Sequence, residues 1–406
     1  MNVASILGPL EIGIHYWRPN QCSKMDQALP PFFDPQNPHN IGDWFLTKIT
    51  DRLLDYDELI LLPKNASDDD WEYVNETCDV VVLRGGNYIQ SRWLADHIGL
   101  DAIRKIEIPI VLFGAGVQNS FAEGPVEFDP DEREILERVH ASSAFSSARG
   151  FRTVEALAQI GIENVIVTGC PTVFWSRKPS LQLRRPTDET AGFTFRHGLY
   201  SSDPATYRAQ FAAIDLIRKC FGSVSVILQG EEVSLQEHHA ATRWGAEHRG
   251  RLQEISGSGL QRLDRTPLDV EQLRAQVQTE YGPYASEKLI DWLLEHTFFS
   301  WDIAEYIDHY RSRGLVIGCR LHSNLLALAN EVPAFYLTYD ERTQEIVDLF
   351  DIPGCRLLGF DADVDVLGQD WSGFERRYEH YYGEMLRFLE ANNLRHRLPA
   401  REVLPV

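Results

Sequence analysis

Short apolar runs that end in glycine-containing or charged turns recur along this chain. Cys78-Asp-Val-Val-Val-Leu83 breaks at Arg84-Gly-Gly-Asn87, and Ile108-Pro-Ile-Val-Leu-Phe113 ends in Gly114-Ala-Gly-Val-Gln118. Ala144–Ala148 leads into Arg149, Asn164–Thr168 into Gly169-Cys-Pro-Thr172, and Ala191–Phe195 into Arg196 and His197. Val224–Leu228 precedes Gln229, Leu315–Cys319 runs straight into Arg320-Leu-His322, and Val332–Leu337 follows. Runs of this length bounded by turn signals predict buried parallel strands. Between them lie stretches of helical period. Trp44–Leu54 places Phe45, Ile49 and Leu53 on one face; Asp129–Ala141, Thr153–Ile160 (closed by Gly161), Ile303–Ser312 and Asn324–Asn330 follow suit. Strand and helix alternating in this way predict α/β architecture with doubly wound parallel sheets.

The remaining stretches divide the chain. Residues 1–39, rich in proline, asparagine and aromatics, predict an irregular lead-in. Ser176–Thr190 is polar and predicts a linker, so the expected domains are 1–180 and 190–406. Two domains also suit 406 residues, since one core rarely serves more than about 250–300. Residues 233–300 mix helical stretches (Val270–Gln278, Ser286–Leu294) with loop signals and predict an insertion decorating the second domain. His238-His239 has no partner at metal-ligand spacing and is expected to be solvated. A last helix over about 373–392 carries Tyr378, Tyr381, Tyr382, Leu386 and Leu389 on one face and is expected to pack back toward the domain joint.

Composition narrows the function. Lys+Arg 39 against Asp+Glu 60 gives a net charge of −21, which argues against a general binder of nucleic acid or anionic membranes. A local basic pocket remains compatible with it. Cys22, Cys78, Cys170, Cys220, Cys319 and Cys355 show no paired spacing, which fits a reducing cytosol and no zinc module. The chain starts with no basic flank followed by an apolar stretch, and no apolar run approaches the ~20 residues of a membrane helix, so a soluble protein is expected.

Candidate chemistry gathers at the strand ends, where open α/β sheets bind ligands. Arg320 offers a fork for a carboxylate or phosphate, and His322 an imidazole that moves protons near neutral pH. The structural alternative pairs Arg320 with an acid and uses His322 as a helix cap. Asn40-Ile-Gly-Asp43 supplies a cap (Asn40 or Asp43) or an anion cradle at the start of the Trp44 helix. Gly114-Ala-Gly116 is close to a dinucleotide fingerprint, but Asn119 stands at the last position and a loop follows, so it does not predict a nucleotide site.

Taken as an ordered set, Asn40-Ile-Gly-Asp43, Arg84-Gly-Gly-Asn87, Gly114–Gln118, Arg149 with Thr153, Gly169-Cys-Pro171, Cys319-Arg-Leu-His322 and Asn330-Glu-Val-Pro333 resemble the polysaccharide pyruvyl transferase family. The resemblance spans about residues 40–345. It implies a GT-B-like fold, two Rossmann-like domains facing a cleft. It also implies transfer of the pyruvyl group of phosphoenolpyruvate onto two hydroxyls of a saccharide, lipid-linked or free, making a ketal and releasing phosphate. Under it Arg320 holds the donor's anionic groups, His322 transfers a proton and Asp43 deprotonates the attacking hydroxyl. Arg196 and Arg149 add anion contacts, and Asn40, Gly86, Asn87, Gly116, Gln118 and Leu321 complete the substrate-binding set, the glycine turns letting backbone amides approach substrate oxygens. No cofactor or metal is required. The implied setting is the cytoplasm, near the inner face of the membrane where lipid-linked sugars are built; the sequence sets no oligomeric state. Cys170 and Gly150 stand where the family often has acids, departures that bear on the acceptor more than the donor. A nucleotide-sugar glycosyltransferase and a non-catalytic glycan-binding protein are the alternative readings of the same fold.

Overall fold

The structure is a computed structural model that describes residues 1–6, 41–62, 66–118, 124–196, 204–229, 233–239, 242, 270–300 and 302–400. The first half is built on β1 (Asn2–Ile6), β2 (Glu58–Leu62), β3 (Val80–Arg84) and β4 (Ile110–Phe113), parallel in the order β2-β1-β3-β4. The parallel pair β5 (Ser146–Ala148) and β6 (Val165–Val167) continues it through a bridge between Ala115 and Ala148. The alternation of the strands assigns their residues to two cores. Val80, Val82, Val111 and Phe113 enter the large core that runs on into the second half, while Val81, Leu83, Ile110 and Leu112 enter a separate core under the first half's other helices.

The second half has β7 (Thr190–Thr194), β8 (Ser223–Ile227), β9 (Thr297–Phe298), β10 (Leu315–Gly318), β11 (Ala334–Thr338) and β12 (Gly354–Arg356) in the order β12-β11-β10-β7-β8-β9, all parallel. This is the Rossmann order, and the chain reverses its direction of travel between β7 and β10. A crevice opens at such a switch point. The fold is α/β with two Rossmann-like sheets, GT-B-like.

The helix Ser372–Ala391 belongs in sequence to the second half but packs on the first. Its Phe388 ring lies 5.5 Å from Phe113, and Asn392 accepts from the Ala144 amide at 3.0 Å and donates to the Phe145 carbonyl at 2.9 Å. Tyr378, Tyr381, Tyr382 and Leu389 are buried and Leu386 is half-buried against them. Each large apolar side chain so buried contributes about 1.5–3 kcal/mol, enough to fasten one half to the other.

Three expectations are corrected. The N-terminal residues are not all lead-in: Asn2–Ile6 is a strand paired on both sides. Its five residues form no long apolar run, and its identity comes from two neighbours distant in sequence. Of the stretch 233–300, residues 243–269 lie outside the described residues, but residues 270–300 are not mere decoration, since the helix Glu287–His296 feeds the edge strand β9 and Tyr281 of the helix Val270–Tyr281 packs on Phe195 at 5.8 Å. His238 and His239 are buried in the helix Val233–His239, with the His239 ring 6.5 Å from Phe298. An imidazole with an apolar body packs well against such a ring.

One buried acid makes stability depend on pH. Glu132 is fully buried in the helix Pro130–Ser142; its Oε2 accepts from the Ala95 amide at 2.8 Å, and its Oε1 has no hydrogen-bond partner among the described residues. Burial pushes its carboxyl up to about 7, against the pull of the Ala95 and Leu94 amides. The unfolded chain ionises this group near pH 4.3. Between there and about 7 the folded state holds the extra proton, so stability falls as pH rises through that window. Glu132→Gln should therefore raise the melting free energy by about 1–3 kcal/mol at pH 8 and change little at pH 4.5, read by thermal melts at both.

Candidate functional site

The switch point of the second sheet positions the first group of residues. Asn324 ties the two strand ends together, donating to the Gly318 carbonyl at 2.9 Å and accepting from Thr194 Oγ1 at 2.9 Å. Just beyond, Arg320 precedes the helix Leu321–Ala329 and donates through Nε to the Phe195 carbonyl at 3.0 Å. Arg196, one residue past Phe195, has its backbone amide and carbonyl both bound to the Gln210 side chain at 2.9 Å. Its guanidinium lies 3.9 Å above the ring of Tyr339, a cation–π contact. Both arginines thus stand on rigid strand ends.

The first sheet supplies the opposite wall. Arg149 is 2% exposed; its Nε donates to the Gly114 carbonyl and its Nη1 to Asn87 Oδ1, both at 2.9 Å. Asn87 in turn donates to Gln118 Oε1 at 2.5 Å. The glycine turns have a different purpose from the one expected of them. A Cβ on Gly85 would sit 2.6 Å from the Gly114 carbonyl oxygen, and one on Gly116 would sit 3.0 Å from Arg149 Cδ. The Gly116 amide is already bound by the Gly86 carbonyl at 2.9 Å, the Gly114 amide by Ser147 Oγ at 3.0 Å and the Val117 amide by Thr153 Oγ1 at 3.2 Å. These glycines let two loops touch and make room for the arginine stem, and the amides of 114, 116 and 117 are not left for substrate.

His322 lies where the walls meet. It is the second residue of its helix rather than a cap, and it is 6% exposed. Its Nδ1 lies 3.4 Å from Thr172 Oγ1 and 3.7 Å from Cys170 Sγ, both from the first half. Nε2 has no hydrogen-bond partner among the described residues. Burial drives the imidazole well below its usual range, and the charges of Arg149, Arg342 and Arg320 push it further the same way. In the free protein the ring is neutral and surrounded by cations.

Arg342 is the member that the sequence did not single out. It occupies the first turn of the helix Glu341–Phe350 after β11, with Nη2 2.8 Å from Tyr339 Oη and 3.4 Å from Asp340 Oδ2. Its Nη1 is 3.5 Å from Gln118 Oε1, across the cleft. A signal was present: Asp340 and Thr343 form a capping box directly after a strand, so an arginine between them had to sit at a strand end.

The other candidates are placed unevenly. Leu321 is 3% exposed within the apolar core, and its carbonyl accepts from Tyr336 Oη at 2.8 Å. Asp43 is inside the helix Ile41–Leu53 and so is not its cap; that helix packs on both the Pro171–Phe174 turn and the Leu321–Ala329 helix. Nothing further is described of the Asp43 side chain, and Asn40 and His197 lie outside the described residues. Gly150 lies against the second half: a Cβ there would meet Glu345 Cδ at 2.1 Å, so the Glu345 carboxylate fills the space that a side chain at 150 would need. Among the described residues there is no group of three or more His, Cys, Asp or Glu side chains able to hold a metal ion, and no helix long and apolar enough to cross a membrane. The described cysteines Cys78, Cys170, Cys220, Cys319 and Cys355 are free.

The family model "Polysaccharide pyruvyl transferase" matches residues 29–341, which include both walls up to Glu341. The chain belongs to that family. No curated protein matches it. Among solved structures it is similar to a Listeria monocytogenes protein described as a UDP-N-acetylglucosamine 2-epimerase, at 12% identity and TM-score 0.46, covering 96% of each chain. It is also similar to the Methanocaldococcus jannaschii UDP-GlcNAc 2-epimerase in complex with UDP-GlcNAc and UDP, at 13% identity and TM-score 0.43, covering 96% of this chain and 99% of that one. A third is HepE from Anabaena in complex with UDP and glucose, at 10% identity and TM-score 0.41, covering 97% of each. At these TM-scores the likeness is loose, and the fold of this pyruvyl transferase family member rests on its own strand order.

Proposed function

We propose that this protein transfers the pyruvyl group of phosphoenolpyruvate onto two hydroxyls of a saccharide, forming a pyruvate ketal and releasing phosphate. The observation that carries this is the convergence of Arg149, Arg320 and Arg342 on the buried His322, with Arg196 beside them, in a chain whose net charge is −21. Like charges so gathered repel one another. Their juxtaposition becomes favourable when a polyanion enters, and phosphoenolpyruvate carries about three negative charges. The family match supports pyruvyl transfer and a saccharide acceptor.

In this reading a proton goes to the methylene carbon of the enol, leaving an oxocarbenium-like centre at the adjacent carbon. One sugar hydroxyl adds there and its proton balances the one taken up. The carbon–oxygen bond to phosphate then breaks, the second hydroxyl adds, and its proton leaves with phosphate. His322 delivers the first proton, and the arginines hold the departing anion. Asp43 is the proposed acceptor of a hydroxyl proton, given that its helix packs on the His322 helix.

The test is thermal stabilisation of the purified protein by phosphoenolpyruvate beside pyruvate, phosphate and several nucleotide sugars. At a hundredfold excess over the dissociation constant, phosphoenolpyruvate should add about 2.7 kcal/mol to the folded state. A shift with a nucleotide sugar alone would replace this reading by glycosyl transfer.

A further inference from the structure

His322 meets the first half through two small side chains of a single turn, and both stand at the same ring nitrogen. Thr172 Oγ1 lies 3.4 Å from Nδ1 and Cys170 Sγ 3.7 Å from it, while the Cys170 thiol donates to Thr172 Oγ1 at 3.7 Å. Catalytic hydrogen bonds are often this long before substrate tightens them. All three side chains are buried, Cys170 and Thr172 completely. The turn is clamped on both sides. Positive φ at Gly169 starts it, a Cβ there would lie 2.4 Å from the Phe350 ring, and a Cβ on Gly114 would lie 2.5 Å from Pro171 Cγ. The amides of Val173 and Trp175 close it on the Cys170 and Thr172 carbonyls at 3.1 and 3.2 Å. The residues flanking His322 are fixed as well. The Leu321 carbonyl accepts from Tyr336 Oη at 2.8 Å, and Ser323 donates through its amide and its hydroxyl to Gln229 Oε1, at 3.1 and 2.8 Å. Nδ1 and the two groups facing it are thus held from both halves, and among the described residues no carboxylate binds the ring.

We propose that Thr172, with the Cys170 thiol behind it, is a positioning residue for His322: their hydrogen-bond chain makes Nδ1 an acceptor and so keeps the proton of the neutral ring on Nε2. The direction of the chain follows from its donors. The thiol proton is committed to Thr172 Oγ1, which leaves the threonine's own hydroxyl proton to point at Nδ1. In a histidine the hydrogen bond at one nitrogen decides which nitrogen carries the proton. The role in catalysis rests on the reading of His322 as proton donor above. A carboxylate at Nδ1 would only accept. It would hold the proton on Nδ1 and leave Nε2 bare, the arrangement of a base. A hydroxyl works both ways: it donates to Nδ1 while the ring is neutral, and it turns to accept from Nδ1–H once a second proton has made the ring cationic. Delivery of the Nε2 proton to the methylene carbon then leaves a neutral ring whose remaining proton, on Nδ1, is still bound by Thr172.

Isotopic labelling of the histidine nitrogens in the full chain, read by NMR, tests this directly, because protonated and bare imidazole nitrogens resonate far apart. The His322 signals are those that vanish in His322→Gln. In the ligand-free protein at about pH 8, above the usual histidine range, Nε2 should be protonated and Nδ1 bare. Thr172→Val, close in shape but without the hydroxyl, should move both signals toward a mixture of tautomers, and Thr172→Ser should return them to the wild-type positions. Cys170→Ala should move them in the same direction as Thr172→Val but less far. A thermal melt of each variant confirms that it is folded. Phosphoenolpyruvate added to the wild type should carry Nδ1 to the protonated position as well. A bare Nε2 in the ligand-free wild type, or wild-type signals in Thr172→Val, would overturn the positioning role alone. Phosphoenolpyruvate that brings no second proton to the ring would overturn the proton-donor reading, while the tautomer, read without ligand, would stand.

Discussion

His322→Gln should slow turnover by about 10²–10⁴-fold while leaving donor binding and the melting temperature close to wild type. Glutamine keeps a polar atom within reach of Thr172 but cannot deliver a proton. The free imidazole is neutral because it is buried among Arg149, Arg342 and Arg320, so it cannot act as an acid until something raises its affinity for protons. The donor itself supplies that change. An anionic group about 5 Å away is worth ~3 kcal/mol at an effective dielectric of 20, or roughly two pKa units. Binding should therefore draw a proton from solvent onto this ring, seen as a buffer-dependent binding enthalpy that disappears in His322→Gln. The stability of the ligand-free protein follows the opposite rule. The depressed folded value means that the unfolded chain takes up a proton first, so this residue's contribution is present above about pH 6.5 and is lost as pH falls below it. Full activity in His322→Gln would remove the residue from proton transfer.

Much of this site was legible in the sequence because strand ends are legible. Apolar runs followed by Arg149, by Arg196 and by Arg320-Leu-His322 mark the points where a parallel sheet releases its chain, and the fold brings those points to one cleft. What lay hidden depended on partners far away in sequence. β1 was hidden because a five-residue strand is defined by the neighbours it pairs with. The glycines were visible but not their reason: Gly85 needs the Gly114 carbonyl beside it and Gly116 the Arg149 stem before their lack of a side chain makes sense. Leu321 lies between two site residues in the sequence, yet its side chain belongs to the core, because neighbouring helical positions face different ways. Gly150 is the clearest case. The sequence shows the want of an acid there, and only the fold shows the Glu345 carboxylate from the other half in that space.

Arg320→Ala should abolish the stabilisation by phosphoenolpyruvate, raising the dissociation constant by at least about a hundredfold, and should cost the ligand-free protein much less than it costs donor binding. The two halves of this expectation have one cause. Arg320 shares its buried surroundings with Arg149, Arg342 and the neutral His322, and its charge helps to hold that imidazole unprotonated. Removing it loses contacts that include the hydrogen bond to the Phe195 carbonyl, worth about 1.5–3 kcal/mol because the donor is charged, and in part offsets them by relieving like-charge repulsion. The helix Leu321–Ala329 loses nothing at its start, since Arg320 makes no side-chain capping bond. A structural arginine would behave otherwise: its loss would lower the melting temperature and spare the response to the donor. Melting curves of wild type and Arg320→Ala, each with and without phosphoenolpyruvate, separate the two. An unchanged ligand response would take Arg320 out of the site. A lost response at undiminished ligand-free stability would mean that the cations stay together for the ligand, at a cost to the folded chain that binding offsets.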